Sequence, residues 1–591
     1  MLKSHARLPL MTFVASLATL HCSATGSGTD PGGGGPGTGG GGGIGLGGTA
    51  GAGGSGALVG IGGGGTGGTG TPECDGAEQK TSSGCDYYAV VPSMTLGANG
   101  GCFAVFVVNP WEKLVQLKVS FKGQELNPNL FGFIPTGQGA SLQYKPMTNS
   151  AVPPGEVAIL FLNRFGGSPL GLDTSCPPGI VPAISTMDAA THGTAIGAAF
   201  HITTSIPVVA YDIYPYGGGR SAMTSATLLL PTSSWGDNYI GVSPLGNGAP
   251  IGAAPILGIV AHQDDTAVTI SPSAAIVGGN GVPGTAQGTP ATYTLGKGQH
   301  LQFTQAAALD GSAIQATAPI GVWAGMSAFN VEGCCADSAH QQIPPVRALG
   351  SEYVAVRYRN RYDGIEESPP WRIVGAVNGT QLTYEPSQPP GAPSTLNLGS
   401  VALFNAPGPF IVRSQDDKHP FYMAAYMTGA SKYDPGQQSP PTGPDDGRGD
   451  AEFVNIIPPG EYLDRYVFFA DPTYPETNLV LVRTKGANGF QDVTLDCAGV
   501  LTGWQPIGSS GKYEYTRFDL VRHNFQPQGN CNNGRREISS PAPFALTVWG
   551  WGSAATGQQL SGTYSQYVSY AYPGGASVAP INNVVIPPVP R

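Results

Sequence analysis

Three stretches of this chain carry side chains that could do chemistry. His262, Asp264 and Asp265 crowd the end of an apolar run at 256–261, and imidazole beside carboxylate suits metal ligation or acid–base work. A strand-like segment starts at Thr266, and Asp favours the turn that must precede it, so a turn is the simpler reading. Glu366 and Glu367 could supply one carboxylate of a glycoside-hydrolysing pair, which needs a second at a set distance. The plainer reading is a solvated loop ahead of Pro369-Pro370. Asp445-Asp446-Gly447-Arg448-Gly449-Asp450 is rich in oxygen but lacks the alternating acids and closing Glu of a calcium loop. Its Arg448-Gly449-Asp450 is the tripeptide that integrins read, and its plain alternative is a polar linker. Asp337 and His340 stand near Cys334-Cys335 without the separate Cys-x-x-Cys pair that zinc would want. The nine histidines include no His-x-His or His-Glu-x-x-His, and neither Gly-x-Ser-x-Gly nor a phosphate loop occurs. No catalytic or metal residue is assigned, no cofactor is called for, and the chain reads as a non-enzyme.

The elements that would hold these residues are written in an unusual alphabet. The 591 residues include 90 Gly and 53 Pro, and only 11% are charged, against roughly 25% in an average domain. That excludes a helical enzyme of the ordinary kind and a coiled coil. The net charge is −10, with no basic cluster beyond Arg7, so nucleic acid is not a partner. Residues 1–22 read as a signal peptide, with Lys3, His5 and Arg7 ahead of an apolar stretch at 8–20 too short to span a bilayer. Cys22 is the candidate lipid anchor of a bacterial lipoprotein, outer membrane-anchored at the cell surface; simple secretion after cleavage at Ala24 is the alternative. Residues 23–73 form a Gly-rich tether, with 27 Gly between 26 and 70. Such a chain cannot bury enough surface to order itself, and its span as a coil is about 37 Å.

From Cys74 onward, alternation, Val/Ile/Tyr/Thr enrichment and Gly/Pro punctuation predict an all-β body. A repeat runs through it. Strands led by Tyr88, Tyr239, Tyr353 and Tyr466 recur, and Pro231, Pro345 and Pro458 stand eight residues before the last three. Thr-centred strands recur at 266–270, 380–384 and 493–495, with 117–121 a weaker copy. A strand, a Pro and an aromatic-ended strand recur around Pro207, Pro319, Pro420 and Pro543, ending in Tyr211, Trp323, Tyr426 and Trp549. Those aromatics lie four or six residues after their Pro, even offsets that put them on one strand face. The expectation is four tandem β-sandwich-like units packed together, at 74–220, 221–338, 339–450 and 451–575, with an extended tail at 576–591. A β-propeller is the alternative. Apart from Cys22, the cysteines are Cys74, Cys85, Cys102, Cys176, Cys334, Cys335, Cys497 and Cys531, an even number suited to an oxidising compartment. Proximity suggests Cys74 with Cys85, Cys102 with Cys176 and Cys497 with Cys531, leaving Cys334 and Cys335 to each other or to partners elsewhere.

The strings Phe200-His201-Ile202-Thr203-Thr204 through Pro207-Val208-Val209-Ala210-Tyr211, Leu228-Leu229-Leu230-Pro231-Thr232, Pro319-Ile320-Gly321-Val322-Trp323, Gln342-Ile343-Pro344-Pro345 and Tyr570-Ala571-Tyr572-Pro573-Gly574-Gly575 resemble the N-terminal domain of the IgG-Fc-binding protein family. The resemblance spans about residues 85–575 and implies a non-enzymatic binding or adhesion module of a surface protein. Its partner would be an extracellular glycan or surface protein, with the membrane reached only through the lipid. A secreted polysaccharide hydrolase using paired carboxylates is the competing function. The anchor is directly testable: the mature chain should partition into detergent, and Cys22→Ser should release it to the soluble fraction. Intact wild type recovered only from the medium, cut after Ala24, decides for secretion.

Overall fold

The structure is a computed structural model that describes residues 74, 80–94, 99–167, 174–217, 223–245, 253–333, 336–434, 447–552 and 567–590. Cys22, the signal and tether segments and Cys334-Cys335 lie outside the described residues. Among the described residues there is no α-helix, only strands and short 3-10 turns. The fold is all-β, as the strand alternation and turn punctuation predict.

The strands fall into four successive groups, each built on one long strand. The long strands are Phe200–Tyr214, Ala313–Phe329 and Gly534–Trp551, with Phe410–Arg413 and Phe421–Met427 sharing the role in the third group. The first half of each lies between two strands. One is Tyr-led: Ser83–Ala89, Gly236–Ile240, Glu352–Ala355 and Leu463–Ala470. The other is Val115–Phe121, Thr266–Ser271, Thr383–Glu385 or Thr494–Leu495. The second half lies between Phe103–Val108, Pro255–Ala261, Pro370–Gly375 or Glu476–Thr484 and a closing strand. The closing strands are Ser225–Leu229, Asp337–Ile343, Glu452–Asn455 and Ser569–Pro573. Each of these strand pairings is antiparallel, and the long strand is the spine that joins the two halves of its group.

The recurring Tyr and the recurring Pro meet in one hydrogen bond. Tyr239 Oη donates to Ile320 O at 2.7 Å, Tyr353 Oη to Phe421 O at 2.6 Å, and Tyr466 Oη to Phe544 O. Each acceptor is the residue directly after the Pro. The same phenols accept the amides of Gly236, Gly350 and Leu463 three residues upstream, at 3.0, 2.9 and 3.0 Å. In the first group the residue in this place is Tyr87, not Tyr88: Tyr87 Oη reaches Val208 O at 2.5 Å. One residue of register turns a strand side chain to the opposite face, and Tyr88 accordingly points away from this corner. The geometry follows from Pro, which has no N–H to offer the ladder. In three groups the long strand bulges there, spending five residues against two of the Tyr-led strand, from Val208 to Thr203, from Ile320 to Gln315 and from Phe544 to Ser539. In the third group an inserted turn at 414–420 replaces the bulge and splits the long strand.

Successive corners also interlock. A Cβ on Gly84, Gly236 or Gly350 would fall 2.4, 2.7 or 2.4 Å from the Cβ of Pro231, Pro345 or Pro458. In the fourth group the sizes are exchanged, with Leu463 packed against Gly575. The three Pro residues that stand eight before their Tyr are the N-caps of 3-10 turns, Thr232–Ser234, Val346–Ala348 and Pro459–Glu461.

The four closing strands pack in a cycle, each against the next and the last against the first. The all-β, sandwich-like groups expected from the sequence are thus packed together in a cycle. Gln341 holds the centre: fully buried, its Nε2 donates to Ala226 O, Phe453 O and Ala571 O at 2.7, 3.1 and 3.2 Å, one carbonyl from each other closing strand. The circle closes where Ser82 N donates to Ala576 O at 2.8 Å. The apolar cores therefore lie between neighbouring groups; the Phe106 ring of the first lies 4.8 Å from that of Phe469 of the fourth, tilted by 60°.

The four strand-ending aromatics are all buried, but they do not share one level. Tyr211 and Trp323 pair with Leu228 and Gln342, whereas Tyr426 and Trp549 pair with Phe453 and Ala571, two residues farther along. Face is set by parity, level by the exact offset from the Pro. Disulfides join Cys74 to Cys85, Cys102 to Cys176 and Cys497 to Cys531. Tyr353→Phe strips a buried carbonyl and a buried amide of their shared partner and should cost about 1–3 kcal/mol, read as a lowered denaturation midpoint at unchanged slope. A corner that contributes nothing would leave the midpoint in place.

Candidate binding site

Asp86 and Tyr88 are two residues apart on one strand, so they share a face. His201 sits opposite Tyr88 in the register. Its ring stacks on Tyr88 with centroids 4.5 Å apart and planes 12° from parallel, and its Nε2 hydrogen-bonds Asp86 Oδ1 at 2.9 Å. Behind them Trp235 lies 5.5 Å from Tyr88 and stands edge-on to Trp323 at 6.0 Å. This aromatic row runs from the core to the junction of the first two groups. There its outer members, Tyr88 and His201, line an open cleft of about 530 Å³ together with Lys122, Ile196, Asp264, Lys297 and Gln299.

The cleft absorbs one candidate cluster. Asp264 Oδ1 accepts the Lys297 amide at 2.8 Å, and Asp265 takes a left-handed backbone, φ 55°. That is turn chemistry. His262 is half-buried, edge-on to Tyr88 and Trp235, and burial lowers its pKa, keeping it neutral. Burial raises that of Tyr88. The cleft thus offers neutral ring edges below and two exposed ammoniums, Lys122 and Lys297, at the rim.

The other candidates are placed elsewhere. Glu367 is not in a solvated loop. It is wholly buried, accepting from Tyr358 Oη at 2.8 Å, Arg361 N at 2.6 Å and Arg361 Nε at 3.1 Å. Arg361, equally buried, spends its remaining donors on Thr428 and on Arg448 O. A buried charge persists only when paired and fully hydrogen-bonded, and this pair is. Glu366 beside it is exposed and paired with Arg357 at 2.8 Å. Arg359 adds Glu476 and Asp519. Arg448 donates to Arg361 O at 2.7 Å and Asp450 is fully buried. The integrin-type tripeptide is therefore locked inside the body rather than displayed; Asp445 and Asp446 lie outside the described residues. Asp337 accepts from Ser569 Oγ at 3.2 Å, and His340 pairs with Asp212. Sequence reasoning missed Gln341, the Arg359 pairs and the cleft, because each is assembled from segments a hundred or more residues apart. Among the described residues no group of three His, Cys, Asp or Glu is arranged to hold a metal ion.

Four corners, a closed ring and an open junction cleft define the body to be compared. The IgGFc binding protein family model matches residues 225–550, more than half of the chain. The chain belongs to the IgGFc-binding protein family. No curated protein and no solved structure matches it. The family match begins at the first closing strand and stops one strand short of the last. The strings that carry the family resemblance are long strands, closing strands and Pro turns, and their apolar side chains are mostly buried. The match takes in both the buried strands of the second, third and fourth groups and, from the cleft, Asp264, Lys297 and Gln299, whereas Tyr88, Lys122 and His201 lie outside it.

Several carboxyls are buried near the ring. Asp337 and Glu452 are pushed well above the carboxylate range by burial, Asp337 also by the neighbouring Asp450 and Glu452. Burial raises Glu461 from 4.5 to about 8. A carboxyl with a raised folded value contributes most below its unfolded pKa, and the contribution is lost as pH climbs through the folded one. His262 and His300, both lowered from 6.5, no longer oppose this trend above pH ~6.5. Stability should therefore fall between about pH 6.5 and 8.5, by about 2 kcal/mol from Glu461 alone. Denaturant midpoints at the two pH values test this, and Glu461→Gln should flatten the fall by that amount. An equal slope in both chains contradicts it.

Proposed function

We propose that this chain is a displayed binding protein, anchored through Cys22 and held off the cell by its Gly-rich tether. Its four-group body presents a site for an extracellular protein or glycan. The observation that carries this reading is the cleft between the first two groups: open, floored by aromatic rings, rimmed by Lys122 and Lys297, and built on a scaffold shared with a binding family. Ligand sites are concave places where a few polar groups converge on an apolar floor. The three disulfides fit an extracellular setting. Among the described residues no helix is long and apolar enough to cross a membrane.

The hydrolase reading asks for two carboxylates facing one substrate cleft. Glu367 is taken by Arg361, and Asp337, Asp450 and Glu452 are buried around the ring; the cleft itself holds Asp264 alone among its lining carboxylates. These placements favour binding. An array of glycans and surface proteins probed with the full chain should return ligands whose binding falls at least tenfold in the double variant Lys122→Glu/Lys297→Glu, at unchanged melting temperature. Full binding by the double variant would move the site off this cleft.

A further inference from the structure

Residues 577–590 join no sheet, yet three of their side chains, Val578, Asn582 and Ile586, are buried at steps of four. Each step meets a different group: the Pro-led turns of the fourth and third, and the Tyr-led strand of the second. Ser577 N donates to Glu461 O at 2.9 Å and Ala579 N to Glu461 Oε2 at 3.0 Å, on the fourth. Ile581 N donates to Arg347 O at 2.9 Å, and Asn582 Nδ2 to Val346 O and Leu349 O at 2.7 and 2.9 Å, on the third. Ile586 N donates to Asn238 Oδ1 and its carbonyl accepts Asn238 Nδ2, at 2.9 and 2.8 Å, on the second. Beyond it Ser271 Oγ holds Val589 O at 2.7 Å. Four residues of extended chain cover about 12 Å, so one such step carries the tail from each group to the next.

This mode of contact is that of a groove reading an extended peptide, with backbone hydrogen bonds for affinity and spaced pockets for side chains. The segment carries no charge and four Pro, so little chain entropy is lost when it lies straight. It follows the last strand, and the ring is already closed at Ala576 before the tail begins. We infer that the Pro-led turns of the third and fourth groups, with the Tyr-led strand of the second, form a peptide groove whose resident is the chain's own tail. The same segment of a second copy seats there when the resident leaves. Tethering gives the resident an effective concentration in the millimolar range, so exchange between copies is a property of crowded surfaces rather than of dilute solution.

The probe is a fluorescent peptide of residues 577–590 added to the full chain. Asn582→Ala in the chain removes the resident tail's hydrogen bonds to Val346 and Leu349 and leaves the groove whole. That chain should take up the peptide at least tenfold more tightly than the unaltered one, and adding Asn238→Ala should abolish the gain. Concentrated unaltered chain should form dimers that excess peptide dissolves. No uptake by a folded Asn582→Ala chain, uptake indifferent to Asn238, or dimers insensitive to peptide would each overturn the inference. So would unfolding of the Asn582→Ala chain, which would make the tail an inseparable part of the fold.

Discussion

Everything in this body is arranged around the carboxamide of Gln341. Four closing strands converge without a backbone ladder between them, so carbonyls of three strands face the centre with nothing of their own to accept from. A buried carbonyl left unpaired costs about 1–3 kcal/mol. An apolar plug would fill the space and leave all three in that state. Gln341 Nε2 serves all three, and the Thr227 hydroxyl donates back to Gln341 Oε1 at 3.4 Å. One strand must give up the symmetry of the ring so that the other three can be satisfied. In the first and third groups, four residues before the equivalent Pro, the chain has Thr227 and Val454 instead. The central contact is a reason for closure at four: each carbonyl donor pair reaches across a gap of one side chain.

Outward from that centre, the Tyr–Pro corner does for each group what Gln341 does for the ring. Pro interrupts the ladder of the long strand, and the phenol takes up both polar groups stranded by the break. Because the corner Gly packs against the Pro that opens the next group, each correction of a local defect also fixes the neighbour. The exchange of Gly and Pro for Leu463 and Gly575 in the fourth group keeps the summed volume while reversing the partners, which is the substitution a packed interior tolerates best. Junctions differ in what fills them. Between the third and fourth groups, Arg359 and Arg361 with Glu476, Asp519 and Glu367 form ion pairs with every charge answered. Between the first and second, aromatic rings do the filling, and an open cleft lies over Tyr88 and His201 at the end of their row.

Much of this plan is written in the sequence, and its errors are informative. The eight-residue interval from Pro to Tyr is an internal measurement repeated three times, so it fixed the corners and the all-β class. The first group lacks that upstream Pro, and with two adjacent tyrosines available the alternation alone could not choose between Tyr87 and Tyr88. The Gly three residues ahead, at 84, 236 and 350, was the deciding mark. The aromatic endings were legible as to face but not level, because parity survives a shift of two residues and packing depth does not. Glu367 could not be read as buried, since an acid beside an acid before Pro-Pro looks solvated until Arg361 is seen to meet it. The cleft was illegible for a different reason: it draws on residues from 88 to 299, and no local pattern announces their meeting.

A fourfold repeat offers a way to separate scaffold from site within one molecule. What occurs in every group, the corner Tyr, the Pro ahead of its acceptor and the long strand between them, is buried and is accounted for by closing the ring. What occurs once must be explained by something else. Gln341 occurs once and is explained by the axis; Arg361 and Glu367 occur once and are explained by each other. Gln299 is used locally, its Oε1 accepting the Gly296 amide at 2.8 Å, but Lys122 and Lys297 also occur once, are exposed, and stand at the rim of the cleft where Tyr88 and His201 come to the surface. Two lysines that no corner and no axis calls for are the asymmetry on which the proposed binding site rests in an otherwise repetitive body.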